Sequence, residues 1–530
     1  MSTLVRPLVV VSMAVFLGAG AYSSITRPRS FGPDSRNYVN VADNLRKGRG
    51  LVQDTVGFGE SRFPASVRST QPFAVHGPVY PALIAALGEA GLPLERAALA
   101  LAALAYAVCL WAGFRLTERL YDRRTAAWCL LMLVASYPMA FIARAAWAEA
   151  LGIAFWLVSL LVLASRPAPV APMRAALAGL LSGLAFATRY PLVVALPVGL
   201  GAFPGRGERR ARWVGAAAFV AGFMLISAPV VARNLAATGR LTGAARNAST
   251  ESVRSNVLGS VEILFGAPFS SPDSSRERWP GPIDERVLQA ALLAVAALPF
   301  AARVRREGWP LVEETFLAEG RHIVLLAFLG YVVFLIAVRS VLNFDPLDAR
   351  LMSPAHVAMV IAWAALLGAG IRVRAPVLGL ALAGLALAKT APLAHRLATT
   401  PASDIRSARA TTDRLRWVVE QARPDDLLIG EDSEDLAFHL GRSSLYFTHS
   451  PHMQVLTEDD VRVVRREGCA SGRRVFLLLR RRPFRESAAW GPFVMDLAAG
   501  RLAAYPGITE EARWSDGLVY RVGCGASAGG

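Results

Sequence analysis

The sequence predicts an α-helical, polytopic membrane protein with about eleven transmembrane helices and a C-terminal, extracytoplasmic α/β domain. Hydrophobic residues make up 54% of the 530-residue chain and charged residues only 18%. The mean hydropathy is +0.39, which excludes an ordinary large soluble enzyme. Apolar windows long enough to span a bilayer recur between Val5 and Leu393, and the sequence becomes charged and mixed after His395. We therefore expect a membrane domain over residues 1–394 and a soluble domain over residues 395–530.

The arginines predict how the helices cross the membrane. The net charge of +17 is almost entirely arginine, much of it in short loops between apolar runs. Such loops favour the cytoplasmic side, and no nucleic-acid motif accompanies them. The predicted spans are 7–24, 97–114, 125–143, 148–165, two short helices within 175–204 that meet at Arg189, 213–232, 286–303, 322–339, 351–369 and 375–393. The first is alternatively a cleaved signal peptide, and 78–92 is apolar enough for a partial span.

This topology places the large first loop, residues 25–96, and the C-terminal domain outside the cytoplasm of a plasma or inner membrane. Asp34 follows the first span and Glu149 begins another, both on the outer side. Acids at membrane depth are costly and usually functional. The other candidate site residues on that side are Tyr38, His76, Tyr80, Arg189, Arg233, Asn234, Asp348 and Arg350. Carboxylates can hold or deprotonate a hydroxyl, whereas arginines bind phosphate through paired hydrogen bonds.

Six short motifs follow one another within residues 6–394. They are Asp34 to Gly48 with Tyr38 inside it, His76-Gly77-Pro78-Val79-Tyr80-Pro81, Glu149, the glycine-rich run Gly179 to Arg189, Pro229-(x)3-Arg233-Asn234, and Asp348-x-Arg350-(x)3-Pro354. In this order they resemble the GT-C class of membrane glycosyltransferases, in the style of the lipid A aminoarabinose transferase and protein O-mannosyltransferase group.

The resemblance implies transfer of a sugar from a polyprenyl-phosphate donor to an extracytoplasmic hydroxyl on a glycolipid, polysaccharide or protein. Asp34 would be the base, Glu149 would orient the acceptor or an arginine, and Arg189, Arg233 or Arg350 would stabilise the departing phosphate. Many relatives have a second acid directly beside the first, whereas Ser35 follows Asp34 here. One carboxylate is a poor site for magnesium or calcium, so we expect no metal and no other cofactor.

Other interpretations of the same residues remain open. Asp34 is alternatively a helix N-cap, Glu149 a helix-dipole partner, and Asp348 and Arg350 a pair across a turn. A structural role suits His76, and the three tyrosines Tyr38, Tyr80 and Tyr190 fit an interfacial aromatic belt. At the level of function, the alternatives are a transporter or flippase for a lipid-linked glycan, and a glycan polymerase or ligase.

The last 136 or so residues show alternating helix and strand patterns, which predict a mainly parallel sheet. We expect helices at 403–422, 434–440 and 457–466 and strands at 427–430, 444–447 and 475–479, followed by a strand-like run at 517–522. Cys469 and Cys524 both lie in this outer domain, whereas Cys109 and Cys129 lie in spans. An exported pair in an oxidising compartment predicts a disulfide between Cys469 and Cys524.

Overall fold

The structure, a computed structural model, describes residues 31–524 apart from gaps. The gaps longer than three residues are 57–69, 165–170, 204–208, 244–247, 267–296, 371–412, 447–455 and 481–491. The predicted spans 7–24 and 375–393, and most of 286–303, therefore lie outside the described residues.

Helices dominate the described part of the chain before the large gap at 371–412. They are α1 (Pro33–Arg46), α2 (Val79–Glu89), α3 (Leu94–Leu120), α4 (Arg123–Ala135), α5 (Ala148–Leu163), α6 (Pro172–Thr188), α7 (Ala195–Leu200), α8 (Arg209–Thr238), α9 (Val253–Val261), α10 (Trp309–Phe316), α11 (His322–Val341) and α12 (Ser353–Gly370). The first loop also contributes three two-residue strands, β1 (Val52–Gln53), β2 (Thr55–Val56) and β3 (Gln71–Pro72).

Three of these helices are long and apolar enough to cross a membrane: α3, α8 and α11. They contain the predicted spans 97–114, 213–232 and 322–339. Within the predicted span 125–143, α4 ends at Ala135 and Ser136 is extended, and Pro138, Met139 and Ile142 beyond it are again helical. The count of eleven crossings stays a prediction.

The glycine-rich run of α6 allows close helix packing. A Cβ atom on Gly179 would lie 1.9 Å from the carbonyl oxygen of Phe219 in α8, and one on Gly222 would lie 2.1 Å from that of Ala176. Only glycine permits backbones to approach this closely. The contact fixes α6 against α8, and the C-terminal end of α6 leads directly into Arg189.

The chain breaks its helix at Arg189, where the sequence predicts two short helices to meet. Helix α6 ends at Thr188, Arg189 is extended (φ −143°, ψ 113°), and a 3-10 turn covers Tyr190–Val194 before α7. Pro191 lacks a backbone N–H and cannot continue the preceding hydrogen-bond ladder. The break turns Arg189 inward, and it is 9% exposed.

The C-terminal part is a sheet covered by helices on both faces. Its elements are α13 (Asp413–Gln421), β4 (Leu427–Gly430), α14 (Ser433–Leu440), β5 (Ser444–Tyr446), α15 (Glu458–Ala470), β6 (Val475–Arg480), α16 (Pro492–Ala498), β7 (Ile508–Arg513) and β8 (Gly517–Val522). Strand β6 alternates between two apolar clusters, with Val475, Leu477 and Leu479 in one and Phe476 and Leu478 in the other. Burial on both faces explains its continuous apolar sequence.

The strand order in this sheet is β2-β5-β4-β6-β8-β7. The pairs β5–β4 and β4–β6 are parallel, as predicted, and β2, which was not predicted, also pairs parallel with β5. Strand β8 pairs antiparallel with β6 and with β7. The sequence reasoning missed β7, whose polar and partly exposed residues lack a buried strand's pattern. A disulfide joins Cys469, near the end of α15, to Cys524, just after β8, with Cα atoms 5.6 Å apart.

The first loop joins the C-terminal sheet, which a boundary at residue 394 does not anticipate. Strand β2 forms the sheet edge beside β5. Arg36 of α1 forms an ion pair with Asp435 of α14, and the rings of Phe31 and Phe438 stack with centroids 5.6 Å apart. Helix α1 is thus held between the helical part and the sheet.

Candidate functional site

Helix α1 positions Asp34 through a polar face and an apolar face. Asn37, Asn40 and Asn44 lie on one side, where Asn40 Nδ2 donates to Asp54 Oδ2 at 2.7 Å and Asn44 Nδ2 to the Val52 carbonyl at 2.9 Å. Tyr38, on another side, is fully buried in the core. Because both faces of α1 make contacts, the position of the helix is fixed. Asp34, in its first turn, faces the helical part of the protein.

Glu149 is positioned by a tight turn that precedes α5. Ala146 in this turn has a φ of 53°, a conformation that non-glycine residues adopt only at a cost. The Ser35 hydroxyl donates to the Ala145 carbonyl at 2.5 Å, and the Tyr80 hydroxyl donates to the Ala146 carbonyl at 3.0 Å. The first loop therefore holds the turn, and Glu149 is buried at 3% exposure.

Arg350 links the two predicted acids. Its Nη1 donates to Asp34 Oδ2 at 2.5 Å, and its Nε lies 3.6 Å from Glu149 Oε1. The guanidinium also lies over the indole of Trp147, 4.9 Å from the ring centroid. A planar guanidinium suits this combination of stacking on an aromatic ring and donation to a carboxylate.

Arg189 completes a group that we call the acid–arginine cluster: Asp34, Glu149, Arg189 and Arg350. Its Nη2 lies 2.7 Å from Glu149 Oε1. Its Nη1 donates to His76 Nδ1 at 3.2 Å. Because arginine is only a donor, His76 must accept on Nδ1, which leaves a proton for Nε2, 3.8 Å from Asp34 Oδ1. His76 therefore bridges the arginine and the acid.

Gly77 lets the loop bearing His76 reach Arg189. A Cβ atom at this position would lie 2.0 Å from the Ala187 carbonyl oxygen and 2.7 Å from the Thr188 carbonyl carbon. The loop thus packs directly on the last turn of α6. This close contact brings a residue of the first loop beside the helix break at Arg189.

The electrostatic environment keeps Asp34 ionised. Burial by itself raises the pKa of Asp34, but the charge of Arg350, the Nε2 proton of His76 and the charge of Arg189 outweigh it and lower the pKa to about 2. Asp34 is therefore a carboxylate at neutral pH and accepts hydrogen bonds only. The four charges of the acid–arginine cluster sum to zero, so an arriving anion would compete with the acids for the guanidinium groups.

Two predicted phosphate ligands lie outside the cluster. Arg233 donates from Nη1 to the Phe73 carbonyl and from Nη2 to the Leu51 carbonyl, both at 2.8 Å. Asn234 is fully buried and donates to the Tyr190 hydroxyl at 2.9 Å. The Arg233 contacts fasten the first loop to the end of α8, and the Asn234 contact fastens the 3-10 turn to it. A role for either residue in binding phosphate stays a prediction.

The remaining predicted residues lie beside the cluster. The Tyr38 ring contacts the rings of His76 and Tyr80, with centroids 5.5 Å and 5.1 Å apart. The Tyr80 hydroxyl donates only to backbone carbonyls among its described contacts. Asp348 Oδ1 accepts from the Leu351 N–H at 2.7 Å, and Asp348 Oδ2 lies 3.9 Å from Arg350 Nε. Tyr80 and Asp348 therefore hold the backbone that carries other site residues.

The sequence reasoning missed two neighbours of the cluster. Trp147 lies under Arg350, two residues before Glu149, and could have been noticed as an aromatic partner for an arginine. Tyr331 of α11 donates to the Leu351 carbonyl at 3.1 Å, next to Arg350. Its sequence context is an ordinary apolar span, and no local signal distinguishes it.

The acid–arginine cluster suits an anion better than a cation. Each acid already has an arginine within 3.6 Å, and a metal ion would have to displace that partner. Among the residues that the structure describes, no group of three or more histidine, cysteine or acidic side chains has metal-binding geometry.

Comparisons with known proteins give a fold but no close relative. No protein-family model matches the chain, and no curated protein matches it. The archaeal oligosaccharyltransferase AglB from Archaeoglobus fulgidus, in complex with an inhibitory peptide and a dolichol-phosphate, matches with a TM-score of 0.50 and 11% identity over 88% of this chain and 69% of that one. ArnT from Cupriavidus metallidurans bound to undecaprenyl phosphate matches with a TM-score of 0.48 and 16% identity over 97% of this chain and 98% of that one. The likeness to AglB shows that the chain has the fold of the GT-C membrane glycosyltransferases.

Proposed function

We propose that this protein is an integral-membrane glycosyltransferase that moves a sugar from a polyprenyl-phosphate donor to an extracytoplasmic hydroxyl. The observation that carries the proposal is the acid–arginine cluster, which combines the buried Glu149 and the partly buried Asp34 with two arginines. The shared fold supports it, because AglB holds a dolichol-phosphate in that fold. The acceptor hydroxyl belongs to a glycolipid, a polysaccharide or a protein.

The donor phosphate binds between Arg189 and Arg350. Both guanidinium groups are mostly buried, with side chains 10% and 12% exposed, so their attraction for an anion is weakly screened. The phosphate takes over the Nη1 of Arg350, which now holds Asp34. Losing that partner raises the proton affinity of Asp34 just as the substrate arrives.

Transfer is a direct displacement at the anomeric carbon. The acceptor oxygen forms the new glycosidic bond while the bond from the anomeric carbon to the phosphate oxygen breaks. The phosphate leaves with that electron pair, and the hydroxyl proton passes to Asp34. Glu149 Oε1, 2.7 Å from Arg189 Nη2, keeps the Arg189 guanidinium oriented toward the phosphate. The two arginines stabilise the growing charge.

No metal takes part in this proposal. The leaving phosphate is already ionised and needs no protonation, and two arginines supply the positive charge that a divalent ion would otherwise provide. Full activity after dialysis against EDTA is the expected result. A strict requirement for an added divalent ion would contradict this part of the proposal.

The cluster and the C-terminal sheet lie outside the cytoplasm in a plasma or inner membrane. The positive-inside pattern of the loop arginines supports this orientation. Asp34, on α1, and the C-terminal sheet belong to the same side, because β2 and the Arg36–Asp435 ion pair connect them.

The leaving group offers a test that does not require the sugar to be known. Purified protein is incubated with a lipid extract of its native membrane, and release of free polyprenyl phosphate is measured by mass spectrometry. We expect Asp34→Asn to bind undecaprenyl phosphate but to lose release by about a hundredfold. Asp43→Asn, on the same helix but paired with Lys47, is the matched control and should keep full activity.

Arg350→Ala should weaken binding of undecaprenyl phosphate itself, whereas Arg240→Ala, in an exposed loop, should not. Undiminished release by Asp34→Asn would remove this residue from the chemistry. Failure of the wild-type protein to bind undecaprenyl phosphate would overturn the proposed donor class.

A further inference from the structure

Helix α9 turns its polar residues toward the protein and its apolar residues outward. Asn256 and Ser260 are 6% and 1% exposed. Asn256 Nδ2 donates to the Ser340 hydroxyl of α11 at 2.9 Å. The exposed apolar side chains are Val253 at 59%, Val257 at 39%, Leu258 at 58% and Val261 at 49%. A surface helix in water shows the opposite arrangement.

A third side of the same helix is polar and exposed. Ser252 caps the helix by accepting from the Ser255 N–H, and the Ser255 hydroxyl donates to Glu251 Oε2 at 3.1 Å. At 100° per residue, Ser255 lies about 120° from Val261 on one side and Asn256 lies about 140° from it on the other. One side of α9 therefore contacts the protein, a second side is apolar and exposed, and a third side is polar and exposed. This is the pattern of a helix that lies in the plane of a membrane surface.

The neighbouring helix fixes the level at which α9 lies. Ser340, its hydrogen-bond partner, stands near the C-terminal end of α11, one of the three candidate membrane spans. Val341 beside it is 66% exposed, and Leu329 and Val333 along the same helix are 53% and 62% exposed. The apolar side of α9 therefore continues the surface that α11 presents to the bilayer.

We propose that α9 is a membrane-surface helix whose Val253, Val257, Leu258 and Val261 side chains insert among the acyl chains of bilayer lipids. The exposed Arg254 lies between these side chains, and its long stem lets the guanidinium reach the headgroup phosphates. The helix belongs to a stretch that the sequence reasoning placed in an outer loop between spans 213–232 and 286–303. This inference does not rest on the proposed reaction.

Spin-label accessibility tests the proposal. Full-length protein in nanodiscs of phosphatidylcholine and phosphatidylglycerol carries a nitroxide at Val261→Cys or, about 120° away around the helix, at Ser255→Cys. Collisions with oxygen, which concentrates in lipid, are compared with collisions with a water-soluble nickel chelate. Cys109 and Cys129 are buried, and the unsubstituted chain gives their background signal. Val333→Cys and Asp459→Cys serve as the lipid and water references.

We expect Val261→Cys to match Val333→Cys and Ser255→Cys to resemble Asp459→Cys. Nickel access at Val261→Cys equal to that at Asp459→Cys would place this side in water and overturn the proposal. Exclusion of both agents would assign it to a protein surface, including a second copy of the chain, and would overturn it as well. Val257→Cys on the same side gives an independent reading if Val261→Cys does not fold.

Discussion

Asp34 owes its ionised state to neighbours from three other parts of the chain. Arg350, His76 and Arg189 hold its pKa at about 2 although burial acts in the opposite direction. A base with so low a pKa is poorly matched to neutral pH. The proposed mechanism resolves this by letting the donor phosphate draw Arg350 away, so that proton affinity rises only in the substrate complex.

Stability should depend on pH through the same carboxylate. Its folded pKa of about 2 lies below the ordinary value of 3.8, so the charge stabilises the fold fully above pH 3.8 and progressively less as the pH falls toward 2. We expect the melting-temperature difference between wild type and Asp34→Asn to be constant above about pH 5 and to change only below about pH 4. A difference that changes between pH 5 and 8 would contradict the assigned pKa.

The two cluster arginines should behave as one unit. Arg189→Lys and Arg350→Lys each replace a planar fork by a point charge, and each should cost on the order of 2 to 4 kcal/mol in donor transfer. The double variant should lose less than the sum of the two, because both serve one phosphate. Rates of polyprenyl phosphate release from all four proteins provide the measurement.

Arg233→Lys is the comparison variant for the Arg189→Lys and Arg350→Lys measurements. Because Arg233 holds the Leu51 and Phe73 carbonyls, its loss should lower the melting temperature and add independently to either cluster variant. Small, additive losses from all three arginines would indicate ordinary interfacial residues, and the donor phosphate would have to be sought elsewhere.

At the scale of elements, close backbone contacts assemble the site. Gly179 and Gly222 bring α6 and α8 together, and Gly77 seats the first loop on the end of α6. The cluster itself is drawn from α1, α5, the break after α6 and the turn before α12. Its geometry therefore depends on how these elements pack more than on any one of them.

Gly77→Ala should disturb the site without touching a cluster residue. The added methyl group would meet the Ala187 carbonyl at 2.0 Å, so His76 must move away from Arg189. Displacements of about 1 Å can cost roughly a hundredfold in rate, and we expect a loss approaching that size. Gly259→Ala, where a Cβ meets nothing within 4 Å, is the control. An active Gly77→Ala protein would show that this contact does not set the site.

At the scale of the molecule, the first loop contacts both the helical part and the C-terminal sheet. Its helix α1 carries Asp34, its strand β2 extends the C-terminal sheet, and Arg36 pairs with Asp435. The sheet region is therefore coupled to the proposed site, because any movement of the sheet acts on the helix that bears the proposed base. Residues 1–394 and 395–530 as separate domains stay a prediction.

The Cys469–Cys524 disulfide tests both the C-terminal fold and its compartment. The bond spans 55 residues, for which the chain-entropy model gives on the order of 4 kcal/mol. Thiol counting on denatured, unreduced protein should find two thiols, Cys109 and Cys129. Four thiols would refute the bond in the native protein and, with it, the oxidising location. Cys469→Ser should loosen the sheet region while leaving the helical part folded.

The sequence anticipated much of the site but not its internal pairing. The positions of Asp34, Glu149, Arg189 and Arg350 at the ends of apolar segments predict a shared site, and the structure brings these four together. Arg233 carries the same signal but contacts backbone carbonyls. A local motif shows that an arginine stands at a helix end, but not which acceptor its long side chain will reach.

Hydropathy, charge and period by themselves determined the membrane class, three helices long and apolar enough to cross a membrane, the break at Arg189 and the order of most C-terminal elements. These features follow from the burial of contiguous residues. The tertiary structure decided the early end of α4, the antiparallel β8, the joining of β2 to a sheet nearly 400 residues away and the partners within the cluster. Those depend on contacts between distant segments, and their energies are absent from any local window of sequence.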